Sequence, residues 1–125
     1  MQILILMFLC HVLDDFVLQP ICLAKLKQRE TWQASAEGRN AKYKYDYKCA
    51  LLIHSLSWSG WILLPIIFLV PSINEWLLGG LWIVNTIIHY KIDNLKANRY
   101  KLNLWADQLI HTLQIIATYL IATIL

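Results

Sequence analysis

Apolar residues fall along this chain in four long runs, separated by polar connections of very different length. The runs cover about 3–25, 49–70, 76–95 and 104–125. Each approaches the roughly 20 residues that a helix needs to cross a bilayer core. No period-2 alternation is visible, so the runs read as helices rather than strands. In lipid only helices or a closed barrel satisfy the backbone, and four segments are too few for a barrel. The pattern predicts an all-α, polytopic membrane protein with four transmembrane helices in a single domain, 1–125. The second run carries no formal charge and contains Pro65, which predicts a kink. Gly79-Gly80 allows close packing in the third.

The connections set an orientation. Residues 27–47 form a long, basic loop; Pro71 to Glu75 is short and has no Lys or Arg; Asn94 to Asn103 is short and basic, with Lys96, Arg99 and Lys101. Four helices put the first and third connections on one side, and the positive-inside rule makes that side cytoplasmic. Both termini are then non-cytoplasmic. Tyr43, Tyr45, Tyr47, Tyr100 and Trp105 mark the cytoplasmic boundary and Trp76 the opposite one, as interfacial aromatic belts do. Met1 to Leu9 lacks the basic n-region of a signal peptide and is interrupted by His11, Asp14 and Asp15, so it reads as the start of a retained membrane helix.

Composition strengthens this picture. The apolar fraction is 58%, the charged fraction 15% and the mean hydropathy +0.50. Soluble domains sit nearer about 45–50% and about 25%, and so short a chain cannot enclose that much apolar surface. The net charge is +3, with nearly all cations in Lys25 to Lys48 and Lys91 to Lys101. Both clusters flank apolar runs and read as topology signals, so no nucleic-acid partner is expected. Cys10, Cys22 and Cys49 have no metal-binding spacing and read as small apolar residues.

The candidate chemistry lies inside the runs. His11, Asp14, Asp15, His54, His89, Asp93, Asp107 and His111 all fall within predicted membrane helices. An ionisable residue at mid-depth costs about 2.5–3.5 kcal/mol on insertion scales. One His reads first as a hydrogen-bonded packing residue; eight ionisable residues require a shared explanation. His11 and Asp15, His89 and Asp93, and Asp107 and His111 are each four apart, hence on one helix face. The polar faces continue as Asn85, His89, Asp93, Lys96 and as Asp107, His111, Gln114, Thr118, with His54 and Ser57 on the second helix. At 1.5 Å per residue, His54, His89 and His111 each lie roughly 9–10 Å from the cytoplasmic boundary. All four helices therefore bring polar groups to one level.

Imidazole and carboxylate converging in a helical bundle predict a metal site. His11, Asp15, His54, His89, Asp93, Asp107 and His111 are the candidate ligands, for one or two divalent ions, Zn, Mn or Fe. Some of the carboxylates could orient a ligating His instead. The function expected first is a metal-dependent hydrolase acting on a lipid or lipid-linked phosphate, with membrane lipid as its partner. Asp14 or Asp15 would be the general base, and Lys96 and Lys25 point charges for phosphate. No G-x-S-x-G is present, which argues against serine chemistry. The alternatives are a non-enzymatic protein that moves or senses a metal or proton, or contacts another envelope protein, and a haem protein with two axial His.

The ordered pieces also resemble a known family. His11-Val-Leu-Asp-Asp15-Phe16-Val-Leu-Gln19 resembles H-x-x-x-D-F-x-x-Q, followed by Lys25, His54, His89-x-x-x-Asp93-x-x-Lys96 and Asp107-Gln108-x-x-His111. This set is similar to that of short bacterial and phage membrane proteins known as domain of unknown function 3307. The resemblance covers nearly the whole chain, with Asp14 as an addition to the pattern. It implies a multi-pass protein of the bacterial inner membrane, and it adds Gln19 and Gln108 to Lys25 as candidate substrate-binding residues. More loosely, the layout is similar to membrane-bound metal-dependent hydrolases.

Overall fold

The computed structural model describes residues 1–19, 21–34 and 41–124, side chains at 21, 22 and 41 excepted. Pro20, Leu125, the side chain of Cys22 and the middle of the basic connection, residues 35–40, lie outside the described residues. Every regular element among the described residues is helical. Helix α1 (Gln2–Val12) continues into a π-helical turn (Leu13–Leu18). Two short helices follow, α2 (Ile21–Leu26) and α3 (Arg29–Ala34), then a 3₁₀ turn (Ala41–Tyr43). Three long helices complete the chain: α4 (Asp46–Leu69), α5 (Glu75–Ala97) and α6 (Leu104–Ile124).

The first apolar run is therefore not the single helix expected over 3–25. The Gln19 amide donates to Asp14 O at 3.0 Å, a five-residue π bond, and Gln19 itself is extended, with φ −70° and ψ 106°. The cause is in the sequence: a residue before proline is pushed out of the α region. The expected basic loop likewise carries helical structure, in α3 and the 3₁₀ turn.

The later ends are set by side chains. Asn74 caps α5, its Oδ1 accepting from the amides of Trp76 (2.8 Å) and Leu77 (3.3 Å). Asn103 Oδ1 accepts from the Ala106 amide at 2.8 Å and starts α6. Between them Tyr100 takes a positive φ of 52°, and the Lys101 amide closes back on Leu95 O.

Helix α4 packs against α1 and α5, and α6 against α5 and α1. The interior has two storeys. One is apolar, built from Met7, Trp58, Ile62, Leu63, Ile66, Leu81, Ile115 and Ala122. The other holds the buried His and Asp residues. The outer faces are largely hydrophobic, for example Leu9 and Val17, Ile53 and Phe68, Ile83 and Val84, Leu113 and Ile121. Among the described residues one helix, Asp46–Leu69, is long and apolar enough by itself to cross a membrane. Length and apolarity thus support one of the four expected spans: the π turn cuts α1 short, and α5 and α6 carry the polar residues of the inner storey.

Asn74→Ala should lower stability by about 1 kcal/mol, the usual worth of such a cap, while Asn74→Asp should be nearly neutral. Equilibrium unfolding checks this; an Ala variant as stable as the parent would show that the cap contributes nothing.

Candidate metal centre

The polar storey is assembled from every long element. The four-residue spacing turns Asn85, His89 and Asp93 of α5 to one face, and Asp107, His111, Gln114 and Thr118 of α6 to another; all seven are buried. Helix α4 contributes His54 and Trp58, α1 contributes His11, and the wider π turn directs both Asp14 and Asp15 inward. His11, Asp14, His54, His89, Asp93, Asp107 and His111 are each at most 7% exposed, so lone charges here would be costly.

Asp93 is the meeting point. Its Oδ1 lies 3.5 Å from both His89 Nε2 and His111 Nε2, and its Oδ2 3.5 Å from His54 Nε2. His54 Nε2 and His89 Nε2 face each other at 3.1 Å, and Asp15 Oδ1 is 3.3 Å from His54 Nε2. Among the described residues two sets could hold a metal ion: Asp15, His54 and His89, and His89, Asp93 and His111. The carboxylate–imidazole separations of 3.5 Å are long for hydrogen bonds. They match instead the edge of a tetrahedron of donors around a metal, about 3.3 Å for bonds of 2.0–2.1 Å. His111 is fully buried and neither ring nitrogen makes a hydrogen bond, although its Nε2 lies 3.4 Å from Asp107 Oδ1; its Nδ1 and His89 Nδ1 have no hydrogen-bond partner. Leaving such atoms unpaired costs roughly 1–3 kcal/mol each. The donor set and its orphans fit a bound divalent cation.

Not every expected ligand has a free donor. Trp58 Nε1, which can only donate, bonds His11 Nδ1 at 2.8 Å. His11 therefore carries its proton on Nε2, which meets Gln108 Oε1 at 3.0 Å. Gln108 Nε2 in turn donates to Asp107 Oδ2 at 3.1 Å, and Lys96 Nζ to the same oxygen at 2.6 Å. Both nitrogens of His11 thus have protein partners, and His11 is in neither of the sets that could hold a metal ion. Trp58 was missed in the sequence, where it reads as one more apolar residue, although it lies four residues after His54 on the buried face of α4. It stacks on His89 (centroids 4.2 Å, 21°) and stands edge-on to His11 (5.6 Å, 80°), forming the floor of the polar storey.

Asp14, expected as a general base, is turned away from the ligand cluster. Its Oδ1 accepts from Ser57 Oγ at 2.8 Å, and its Oδ2 faces His54 Nδ1 at 3.6 Å, behind the ring. It can orient His54, as carboxylates behind ligating histidines do. Asp15 faces the other way, into a cavity of about 310 Å³ that also admits Gln19, Lys27, Asp93, Lys96 and Gln108, with Phe16, Tyr100 and Leu104 at its apolar side. Lys25 is exposed at the end of α2, away from this cavity. Lys27 takes the position expected for Lys25: its ammonium is buried, 2.7 Å from Asp93 Oδ2 and 3.3 Å from Gln19 Oε1. Sequence reading left Lys27 in the loop, because nothing periodic survives the break at Gln19. Deeper in the bundle, Gln114 Nε2 donates to Asn85 Oδ1 (2.7 Å) and Asn85 Nδ2 to Thr118 Oγ1 (3.0 Å), which ties α5 to α6.

These features define an all-helical protein with a buried His/Asp cluster suited to a metal ion. The chain belongs to the family described as protein of unknown function (DUF3307), whose model matches residues 3–125. No curated protein and no solved structure matches it.

Trp58→Phe should keep the ring packing but strand His11 Nδ1, costing about 1–3 kcal/mol of stability. The measurement is equilibrium unfolding of both proteins; equal stability would show that the indole–imidazole bond contributes nothing.

Proposed function

We propose that this chain is a four-span membrane protein whose buried His/Asp cluster holds a divalent metal ion. We further propose that it hydrolyses a phosphate ester or anhydride on a lipid or lipid-linked substrate. The observation that carries this reading is the convergence of His54, His89, His111, Asp15 and Asp93 beside a cavity that also receives two lysines.

The four-span reading is supported by the distribution of polarity. Buried residues in the site half include His, Asp, Asn and Gln, whereas the large exposed residues of the long elements are mostly Leu, Ile, Val and Phe. Water would favour the reverse; a hydrocarbon solvent favours this one. Trp76, Tyr100 and Trp105 stand exposed at the helix ends, as interfacial aromatics would. The basic connections lie at the same end of the bundle as the cavity, so the positive-inside rule sets the site toward the cytoplasm.

Within the site, His89, Asp93 and His111 would hold the ion, which could be Zn, Mn or Fe. Bound there, a divalent ion supplies Lewis-acid polarisation of a phosphoryl oxygen and acidifies water. The protein supplies the rest. Asp15 at the cavity wall takes a proton from the attacking water. Lys27 and Lys96 bind phosphate oxygens. Trp58 and the apolar storey exclude water from below. Water provides the new P–O bond, the bond to the lipid oxygen breaks, and that oxygen regains a proton. A haem sandwiched between two of these histidines does not fit, because the His54–His89 and His89–His111 centroids are only 5.0 and 4.2 Å apart.

Purified protein should contain a divalent transition metal, lose it in His89→Ala and Asp93→Asn, and release phosphate from a phosphomonoester lipid only when metal-loaded. Metal-free protein whose thermal stability ignores chelators would overturn the centre; metal without turnover on any lipid phosphate would overturn the hydrolase. For topology, single cysteines on a cysteine-free background test the spans: Ser72→Cys should label in intact cells, and Lys44→Cys and Arg99→Cys only after permeabilisation. Labelling of all three from one side would rule out four spans.

A further inference from the structure

We infer that the centre takes one divalent ion, and that Lys27 occupies the place of a second cation and grips the substrate phosphate. This rests on the metal-centre reading above, and three independent observations support it.

The first is the sharing of a donor. Both candidate ligand sets need His89. An imidazole nitrogen has one lone pair and serves one ion, whereas a carboxylate can serve two. His89 turns its Nε2 to both sets, 3.5 Å from Asp93 Oδ1 and 3.1 Å from His54 Nε2, so the two cannot both be filled through that atom.

The second is formal charge. The polar storey holds four carboxylates, Asp14, Asp15, Asp93 and Asp107, and two ammonium groups, Lys27 and Lys96. Counting only these carboxylates and ammonium groups, two positive and four negative charges leave a formal charge of −2, which one divalent ion cancels. A second ion would leave the buried storey with two positive charges, which is costly away from water.

The third is the position of Lys27. Its Nζ lies 2.7 Å from Asp93 Oδ2, the oxygen that faces His54 Nε2 and would bridge to a second ion. The segment is held there by Asn98, at the end of α5. Asn98 Nδ2 donates to Lys27 O at 3.0 Å, and its Oδ1 accepts from the Arg29 amide at 2.6 Å. The ammonium is thus fixed at the cavity wall between Asp93 and the open volume, where an incoming phosphate finds both it and the ion. Lys96 reaches the same cavity from α5 and pairs with Asp107 at 2.6 Å, so it can assist at the phosphate but does not lie against Asp93.

The test is metal content together with phosphate binding, in full-length detergent-purified protein. Wild type loaded with excess Mn or Zn should retain one ion per chain. Lys27→Met should still fold and hold an ion, but bind inorganic phosphate about tenfold or more weakly by calorimetry, the loss of one hydrogen bond to a charged group. Lys27→Arg should restore most of that affinity, and Lys101→Met should not change it. Two ions per wild-type chain, or phosphate affinity unchanged in Lys27→Met, would overturn the inference while leaving the metal centre standing. Wild type that retains no ion overturns both.

Discussion

The His/Asp cluster inside this bundle is organised around the carboxylate of Asp93. Its two oxygens face three imidazoles and one ammonium, contributed by α4, α5, α6 and the segment after α2. A buried carboxylate is tolerable only with such company. Four separate pieces of chain must therefore be in place before Asp93 is satisfied. The helix directions, the π turn and the capped ends can be read as the ways this sequence brings them there. The remaining long spacings within the cluster, including those of His111 Nε2 to Asp93 and Asp107, are what a cation between the donors would satisfy.

Trp58 joins two regimes. Its ring stacks on His89, and it also belongs to the buried apolar cluster with Met7, Ile62, Ile66 and Ile115. The same residue also sends a hydrogen bond to His11, and through Gln108 and Asp107 that chain ends on Lys96 at the cavity. The apolar storey thus supports the chemistry through a connected set of oriented dipoles, and the orientation of Gln108 follows from its neighbours rather than from choice.

Much of this was legible in the sequence, and the legible part has one cause. Wherever a helix runs without interruption, the four-residue period fixes which residues share a face. The rows Asn85, His89, Asp93 and Asp107, His111, Gln114, Thr118 were read from spacing alone and are buried together. The α4, α5 and α6 boundaries fall within about three residues of expectation for the same reason. Three features resisted. His11 has the spacing of a ligand, but its partner is a tryptophan on another helix, and no local pattern reports a cross-helix bond. Asp14 and Asp15 are neighbours with opposite duties, one behind His54 and one at the cavity, which a π turn decides and a helical wheel cannot. Lys27 sits beyond a break in the period, so its direction depended on tertiary structure.

That break has a consequence for how distance along this chain is counted. In an unbroken helix, the eight residues from Gln19 to Lys27 would carry the chain about 12 Å along the axis. Here their side chains meet at 3.3 Å. The interruption at Gln19 therefore lets a residue from the connecting segment reach the level of the π turn that precedes it. A stiffer, more regular first helix would be a better helix and would leave Asp93 one partner short.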